Sequence, residues 1–234
     1  MPTHDGHRQR MRERFLKDGL EGFREHEILE LLLYYCLPRK NTNEVAHVLC
    51  KQFGSLSKVL DAPVKELLKV DGIGENAAVF LSLFREVNKY YHINRLSYDK
   101  PLESLDACGK HMIPYFSTEN NECVYLLSLD AKCRPISCRK VSEGSINSTM
   151  ISLRKVVDVA LTENATSVVL AHNHPGGVAV PSREDVDTTY HVAKALAMVD
   201  VTLTDHLIIA DDDYISFRRS NLYDPDEVYT RMNG

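Results

Sequence analysis

The chain has 234 residues, of which 44% are hydrophobic and 26% charged, with a formal net charge of −5. That length allows one large domain or two modest ones, and the composition is that of a soluble globular protein with enough apolar residues for a core. No apolar run is long enough to span a bilayer, and the charged start "MPTHDGHRQRMRERFLKDG" lacks an apolar signal segment, so a cytoplasmic location without membrane contact is expected.

The first half reads as helical. Residues 25–37, "EHEILELLLYYCL", carry apolar side chains at helical intervals, and Pro38 ends the run. A second helix is expected over 41–53, with Thr42 or Asn43 as its N-cap and Gly54 after its end. Short helices follow around Pro63, and a long helical pattern runs over 70–91. Residues 92–104, "HINRLSYDKPLES", break the pattern and read as a linker.

Beyond the linker, strands and helices mix. Strands are expected at 122–130 and 135–145, joined by a turn at "AKCR". A helix is expected over 152–164. The β-branched run "TSVVLAH", 166–172, reads as a buried strand. A helix over 183–200 leads to two strands within 201–217, with a turn at Asp211–Asp213. The expected fold class is therefore α/β (α+β), with an all-helical domain over 1–96 and a mixed β-sheet domain flanked by helices over 105–221.

The six cysteines, at 36, 50, 108, 123, 133 and 138, are scattered like reduced thiols and do not form a disulfide framework. Cys133 and Cys138 are the one close pair. No partner pair follows at zinc-ribbon spacing, so they make a weak second metal site. Residues 1–96 are close to charge-neutral and the remainder carries the acidic excess, which suits the second half poorly to gripping a phosphate backbone.

Gly72 and Gly74 bracket Ile73 between two expected helices, which resembles a helix-hairpin-helix turn. Backbone N–H groups after such a turn can meet a phosphate. Glu75 would repel it there, and the surrounding charge is barely positive. A structural helix pair or a protein contact is the simpler use. Arg8, Arg10, Arg12, Arg14 and Lys17 form either a solvated helix face or an added source of affinity. Any DNA binding through residues 1–96 is expected to be weak.

The stretch "AHNHPGGVAVPSRED", 171–185, carries the strongest chemical signal. Side chains alternate along a strand, so His172 and His174 point one way and Asn173 the other. Pro175 closes the strand, and Gly176 and Gly177 allow a sharp turn. "SRED" reads as a capping box, with Ser182 at the N-cap and Asp185 three residues on. Each residue has an ordinary structural use. Together, two imidazoles and one carboxylate at a helix start offer three ligands with a fourth position open, as in a catalytic zinc site.

The spacing from His172 and His174 to Ser182 and Asp185 resembles the JAMM motif of the MPN/JAB metalloprotease superfamily. More narrowly, "GSINSTMISLRKV", "ATSVVLAHNHPGGVAVPSREDVDTT" and "LTDHLIIADDDYISF" resemble the RadC family, and "GHRQRMRERF", "EILELLLYY", "FGSLSKVLDA" and "VDGIGENAA" resemble its helical domain. The resemblance implies a JAB/MPN-like second domain that holds one zinc per chain on His172, His174 and Asp185. It implies that Ser182 steadies the reacting oxygen and that an early-strand glutamate serves the water, best matched by Glu122, with Glu143 as the rival. Asp205 and His206 form a family-like pair, with either a sheet-supporting role or one behind the site. The expected activity is hydrolysis of a peptide, isopeptide or related amide bond in a peptide or protein substrate. The alternative is a DNA-binding protein of repair or recombination with an ancillary metal domain. "HNH" also invites a nuclease reading, but a nuclease of that name spreads its residues over a ββα unit.

Overall fold

The computed structural model describes residues 4–144, 152–175 and 179–233, and the chain divides into two compact units, Met1–Tyr90 and Tyr91–Gly234. The turn expected at Gly176 and Gly177 lies outside the described residues, as does Ser145 at the end of the strand expected over 135–145. No helix among the described residues is long and apolar enough to cross a membrane.

The first unit is helical: α1 (His4–Asp18), α2 (Glu25–Leu33), α3 (Thr42–Phe53), α4 (Leu56–Asp61), α5 (Val64–Leu67) and α6 (Glu75–Asn94), whose last residues belong to the second unit. Apolar residues at helical spacing share one side of each helix. Leu29 and Leu33 of α2, Val45 and Leu49 of α3, and Ala77, Ala78 and Leu81 of α6 meet in one core. Two expected helix ends differ. α2 stops at Leu33, short of Pro38, because the chain tightens into turn bonds from Tyr35 N to Leu32 O and Cys36 N to Leu33 O. The N-cap position of α3 is Asn41, without a side-chain cap bond, so Thr42 and Asn43 are the first residues of the helix, and the Asn43 amide donates to the buried Glu30 carboxylate at 2.9 Å.

Gly72 has φ +90°, and a Cβ there would stand 2.8 Å from Val45 Cγ2, so the turn into α6 needs glycine at this position. Two of the basic residues of α1 are committed to the fold. Arg8 donates to the carbonyls of Leu37, Pro38 and Lys40 and stacks on Tyr34. Arg14 pairs with Glu27, donates to Gly22 O and lies over the Phe23 ring. Arg10, Arg12 and Lys17 are exposed.

After the end of α6, the second unit has a helix not expected from the sequence, α7 (Leu105–Phe116), capped by Ser104 Oγ accepting from Ala107 N. The five-stranded sheet follows: β1 (Cys123–Leu129), β2 (Pro135–Glu143), β3 (Ser167–Asn173), β4 (Thr202–Ala210) and β5 (Asp213–Ser216), in the order β2-β1-β3-β4-β5. Only the β3–β4 pair is parallel, and its crossover carries α9 (Arg183–Ala197). The remaining helices are α8 (Leu153–Thr162) and α10 (Pro225–Asn233).

Alternation along the strands sorts the sheet into two faces. Val124, Leu126, Val168, Leu170 and Ile208 pack against Val156 of α8, Val192 and Leu196 of α9 and Val228 of α10. Cys123, Tyr125, Leu127, Val169, Ala171 and Leu207 pack against Cys108, Met112, Tyr115 and Phe116 of α7. The stretch 92–104 is not a free linker. Ile93, Leu96 and Leu102 pack on this second cluster, and Leu102 N bonds Cys133 O at 2.8 Å.

Candidate metal centre

The first-named face carries the polar site at one end of its core. His172 is the penultimate residue of β3, and His174 follows the strand's last residue. Asn173 points to the α7 side, as strand alternation requires. There its Oδ1 accepts from Cys123 N at 2.7 Å, and its amide donates to the carbonyls of Glu119 and Asn121. This side chain ties down the approach to β1, so the residue between the two histidines is structural.

The third group comes from the start of α9. Ser182 is its N-cap, and the reciprocal capping box forms as expected: Asp185 N donates to Ser182 Oγ at 3.1 Å and Ser182 N donates to Asp185 Oδ2 at 2.9 Å. Ser182 Oγ also donates to Oδ2, at 2.7 Å. Both bonds from Ser182 therefore fall on one carboxylate oxygen. The other, Oδ1, lies 3.5 Å from His172 Nε2.

His172 Nε2 and His174 Nε2 are 3.0 Å apart, and one ligand atom from each of His172, His174 and Asp185 falls within 4.8 Å of the others. Ligands at about 2.0–2.1 Å around a tetrahedral metal stand roughly 3.3 Å apart. The two shorter separations bracket that value, so the donor set fits a small divalent ion. His172 and Asp185 are buried, His174 is half-buried and Ser182 is exposed, so the group opens toward the helix start.

Burial pushes the His172 imidazole down to about 4, against the pull of the Asp185 carboxylate, and His174 lowers it further. Burial also holds His206 well below the usual imidazole value, with His172 and His174 adding to the effect. Burial thus favours the neutral form of both imidazoles, the form in which a ring nitrogen can bind a metal.

Asp205 and His206 divide the two roles expected of them. Asp205 serves the sheet: it accepts from Ser216 Oγ, Arg218 N and His206 N, at 2.5, 3.0 and 2.8 Å. His206 stands behind the site, with Nε2 2.8 Å from His172 Nδ1. Its Nδ1 lies 2.6 Å from Thr189 Oγ1. Thr189 was not visible as a site residue in the sequence, although its place one helical turn after Asp185 puts both on the same side of α9.

Glu122 is the residue immediately before β1 and is half-buried, while Glu143 ends β2 and is exposed. Glu143 pairs across the ladder with Cys123, whose side chain belongs to the α7 face. Its carboxylate lies 3.5 Å from Lys140 Nζ, which also pairs with Glu119 at 2.6 Å. Cys133 is exposed and Cys138 half-buried, and neither joins a metal-binding group. Among the described residues the one such group is His172, His174 and Asp185.

Residues 102–222 match the family described as the RadC-like JAB domain, and residues 5–79 match a family described as UPF0758 N-terminal. The chain is 34% identical over 224 residues to a UPF0758 protein of Fusobacterium nucleatum subsp. nucleatum, covering 93% of this chain and 97% of the relative. It is 32% identical over 212 residues to a UPF0758 protein of Ruegeria pomeroyi, covering 91% and 95%. The shared sequence thus spans both units of the fold.

Proposed function

The chain belongs to the family of the RadC-like JAB domain, and on that premise we propose that it is a zinc-dependent hydrolase of a peptide, isopeptide or related amide bond. The observation that carries this reading is the convergence of His172 Nε2, His174 Nε2 and Asp185 Oδ1 at the open end of a buried face. Two imidazoles and one carboxylate suit zinc and leave a coordination position free. When bound, the metal supplies Lewis acidity, polarising a carbonyl and bringing the pKa of water toward ~7.

The chain's own groups do the rest. Glu122 takes a proton from the attacking water and returns it to the leaving amine. In support, β1 and β3 pair with Val124 opposite His172, so continuing the register brings Glu122 opposite His174, in phase with both histidines. Glu143 follows the phase of the α7 face and has a lysine beside it. Ser182 first orients Asp185, holding Oδ2 so that Oδ1 is left for the metal. We assign its exposed hydroxyl a second task, donating to the oxyanion once substrate draws its proton from Oδ2. A peptide or protein is the proposed substrate. The DNA-binding alternative loses support from Arg8 and Arg14, whose guanidinium groups are occupied within the helical unit.

The test compares zinc-loaded and chelated protein on a linear peptide, an isopeptide and DNA. Amine release that needs zinc and disappears in Glu122→Gln supports the reading. Metal-dependent DNA cleavage without amide cleavage by the same preparation overturns it.

A further inference from the structure

Thr189 and His206 link two of the three ligands into a closed chain whose protons can be counted. Thr189 Oγ1 lies 2.6 Å from Asp185 O and 2.6 Å from His206 Nδ1. His206 Nε2 lies 2.8 Å from His172 Nδ1, and His172 Nε2 faces His174 Nε2 and Asp185 Oδ1. His172, Thr189 and His206 are all buried.

The count begins at the carbonyl, which only accepts. A threonine hydroxyl has one proton, so the short contact with Asp185 O is a bond only if Thr189 donates to it. Oγ1 must then accept from His206, which puts a proton on His206 Nδ1. The His206 ring is enclosed, lies 4.6 Å from the Phe217 ring, and uses its two nitrogens on Thr189 and His172. A buried imidazole with no carboxylate on either nitrogen stays neutral, so its Nε2 is bare. The bond to His172 then requires a proton on His172 Nδ1. That leaves His172 Nε2 with its lone pair directed at His174 and Asp185.

We propose that Thr189, acting through His206, selects the tautomer of His172 that presents a bare Nε2 to the metal. Thr189 and His206 are positioning residues. The same hydroxyl binds the carbonyl of Asp185, so one side chain links two ligands that reach the site from β3 and α9. Partners of this kind behind a ligand fix ring orientation, and their loss typically costs ~10–100-fold in metal affinity. The proposal rests on the metal-site reading for its purpose, but the tautomer itself is a property of the metal-free protein.

The test uses the full chain, stripped of metal and 15N-labelled at histidine. Imidazole nitrogen spectra should show the proton on Nδ1 of both His172 and His206. Thr189→Val keeps the shape but removes the acceptor. In it His206 Nε2–H should donate to His172 and drive the His172 proton to Nε2, and zinc affinity by chelator competition should fall ~10–100-fold. Thr189→Ser should restore both the tautomers and the affinity, which a purely structural role for the methyl group would not predict. A wild-type protein with His172 protonated at Nε2, or a folded Thr189→Val with unchanged tautomers, overturns the proposal. If Thr189→Val does not fold, the wild-type spectrum and Thr189→Ser decide. A wild-type protein that shows the expected tautomers but takes up no zinc leaves the relay standing and removes the metal reading instead.

Discussion

Val124 lies directly across from His172 in the β1–β3 ladder, and extending that antiparallel register past the strand ends would bring Glu122 level with His174. A one-residue slip would exchange the two faces and bring Cys123 into that phase instead. Extended in this way, the register favours Glu122 for the proposed role, since Glu143 pairs with Cys123 of the α7 face. Glu122→Gln keeps the shape of the side chain but cannot take a proton. It should retain zinc and lose amide turnover by roughly 10²-fold or more, while Glu143→Gln changes the rate far less. Parallel metal analysis and single-turnover rates decide. An active, zinc-loaded Glu122→Gln would transfer the role to Glu143.

Gly109 on α7 faces the Tyr214 ring so closely that an added Cβ would stand 2.3 Å from Tyr214 Cζ. In an open helix, Gly→Ala gains about 1 kcal/mol from propensity. Here the ring would have to move, breaking the 2.8 Å bond from Tyr214 Oη to Asp106, and overpacking costs about 1–3 kcal/mol. Gly109→Ala should therefore lower stability in denaturant titrations. Adding Tyr214→Leu should relieve much of that loss, as a double-mutant cycle would reveal. Additive effects would mean that the two side chains do not meet.

No element is expected over 105–121 from the sequence, and α7, "LDACGKHMIPYF", carries Gly109 and Pro114, both poor residues for a helix interior. The helix is held by its packing on the sheet, through Met112, Tyr115 and Phe116, which a local pattern does not report. β3 was legible because "SVVLA" is buried on both faces and reads as a continuous apolar run. The ligand spacing was legible because both segments lie close together in sequence and the capping box has its own local rule. The partnership of His172, His206 and Thr189 was not legible, because it depends on the parallel crossover that sets β4 beside β3.

Residues 91–104 belong with the second unit, through Ile93, Leu96 and Leu102. We expect a piece spanning 91–234 to fold cooperatively and to take up metal. A piece starting at 105 loses three partly buried apolar side chains, worth roughly 2–4 kcal/mol together. Its melting temperature should be several degrees lower. Equal Tm values for the two pieces would show that the stretch contributes nothing to the second core.

Binding of DNA, if measured, should trace to the first unit, be weak, and fall steeply with salt, each phosphate contact adding about −0.9 to the log–log slope. The exposed Arg10, Arg12 and Lys17 are the side chains to change for this. Replacing all three with Gln should flatten the slope and leave thermal stability almost unchanged. Arg8→Ala should do the reverse, since it removes three carbonyl bonds and the stacking on Tyr34. Tight, salt-insensitive binding by the piece spanning 91–234 would contradict this assignment.

Asp185 has two separable tasks, and a pair of substitutions distinguishes them. Its backbone N–H and Oδ2 complete the capping box with Ser182, while Oδ1 is left toward His172. Asp185→Asn can keep an acceptor for Ser182 N but lacks the carboxylate charge, whereas Asp185→Ala removes both. In metal-free protein, Asp185→Ala should lose about 1 kcal/mol and Asp185→Asn less, because only the first abolishes the side-chain bond to the helix start. In the presence of zinc the ranking should collapse. A ligand at 1,000 times its Kd adds about 4 kcal/mol to wild-type stability, and neither variant should gain much of it. Chelator should then lower the wild-type Tm and leave both variants nearly where they were. If Asp185→Ala gained as much stability from zinc as the wild type, the carboxylate would be a helix cap and not a ligand.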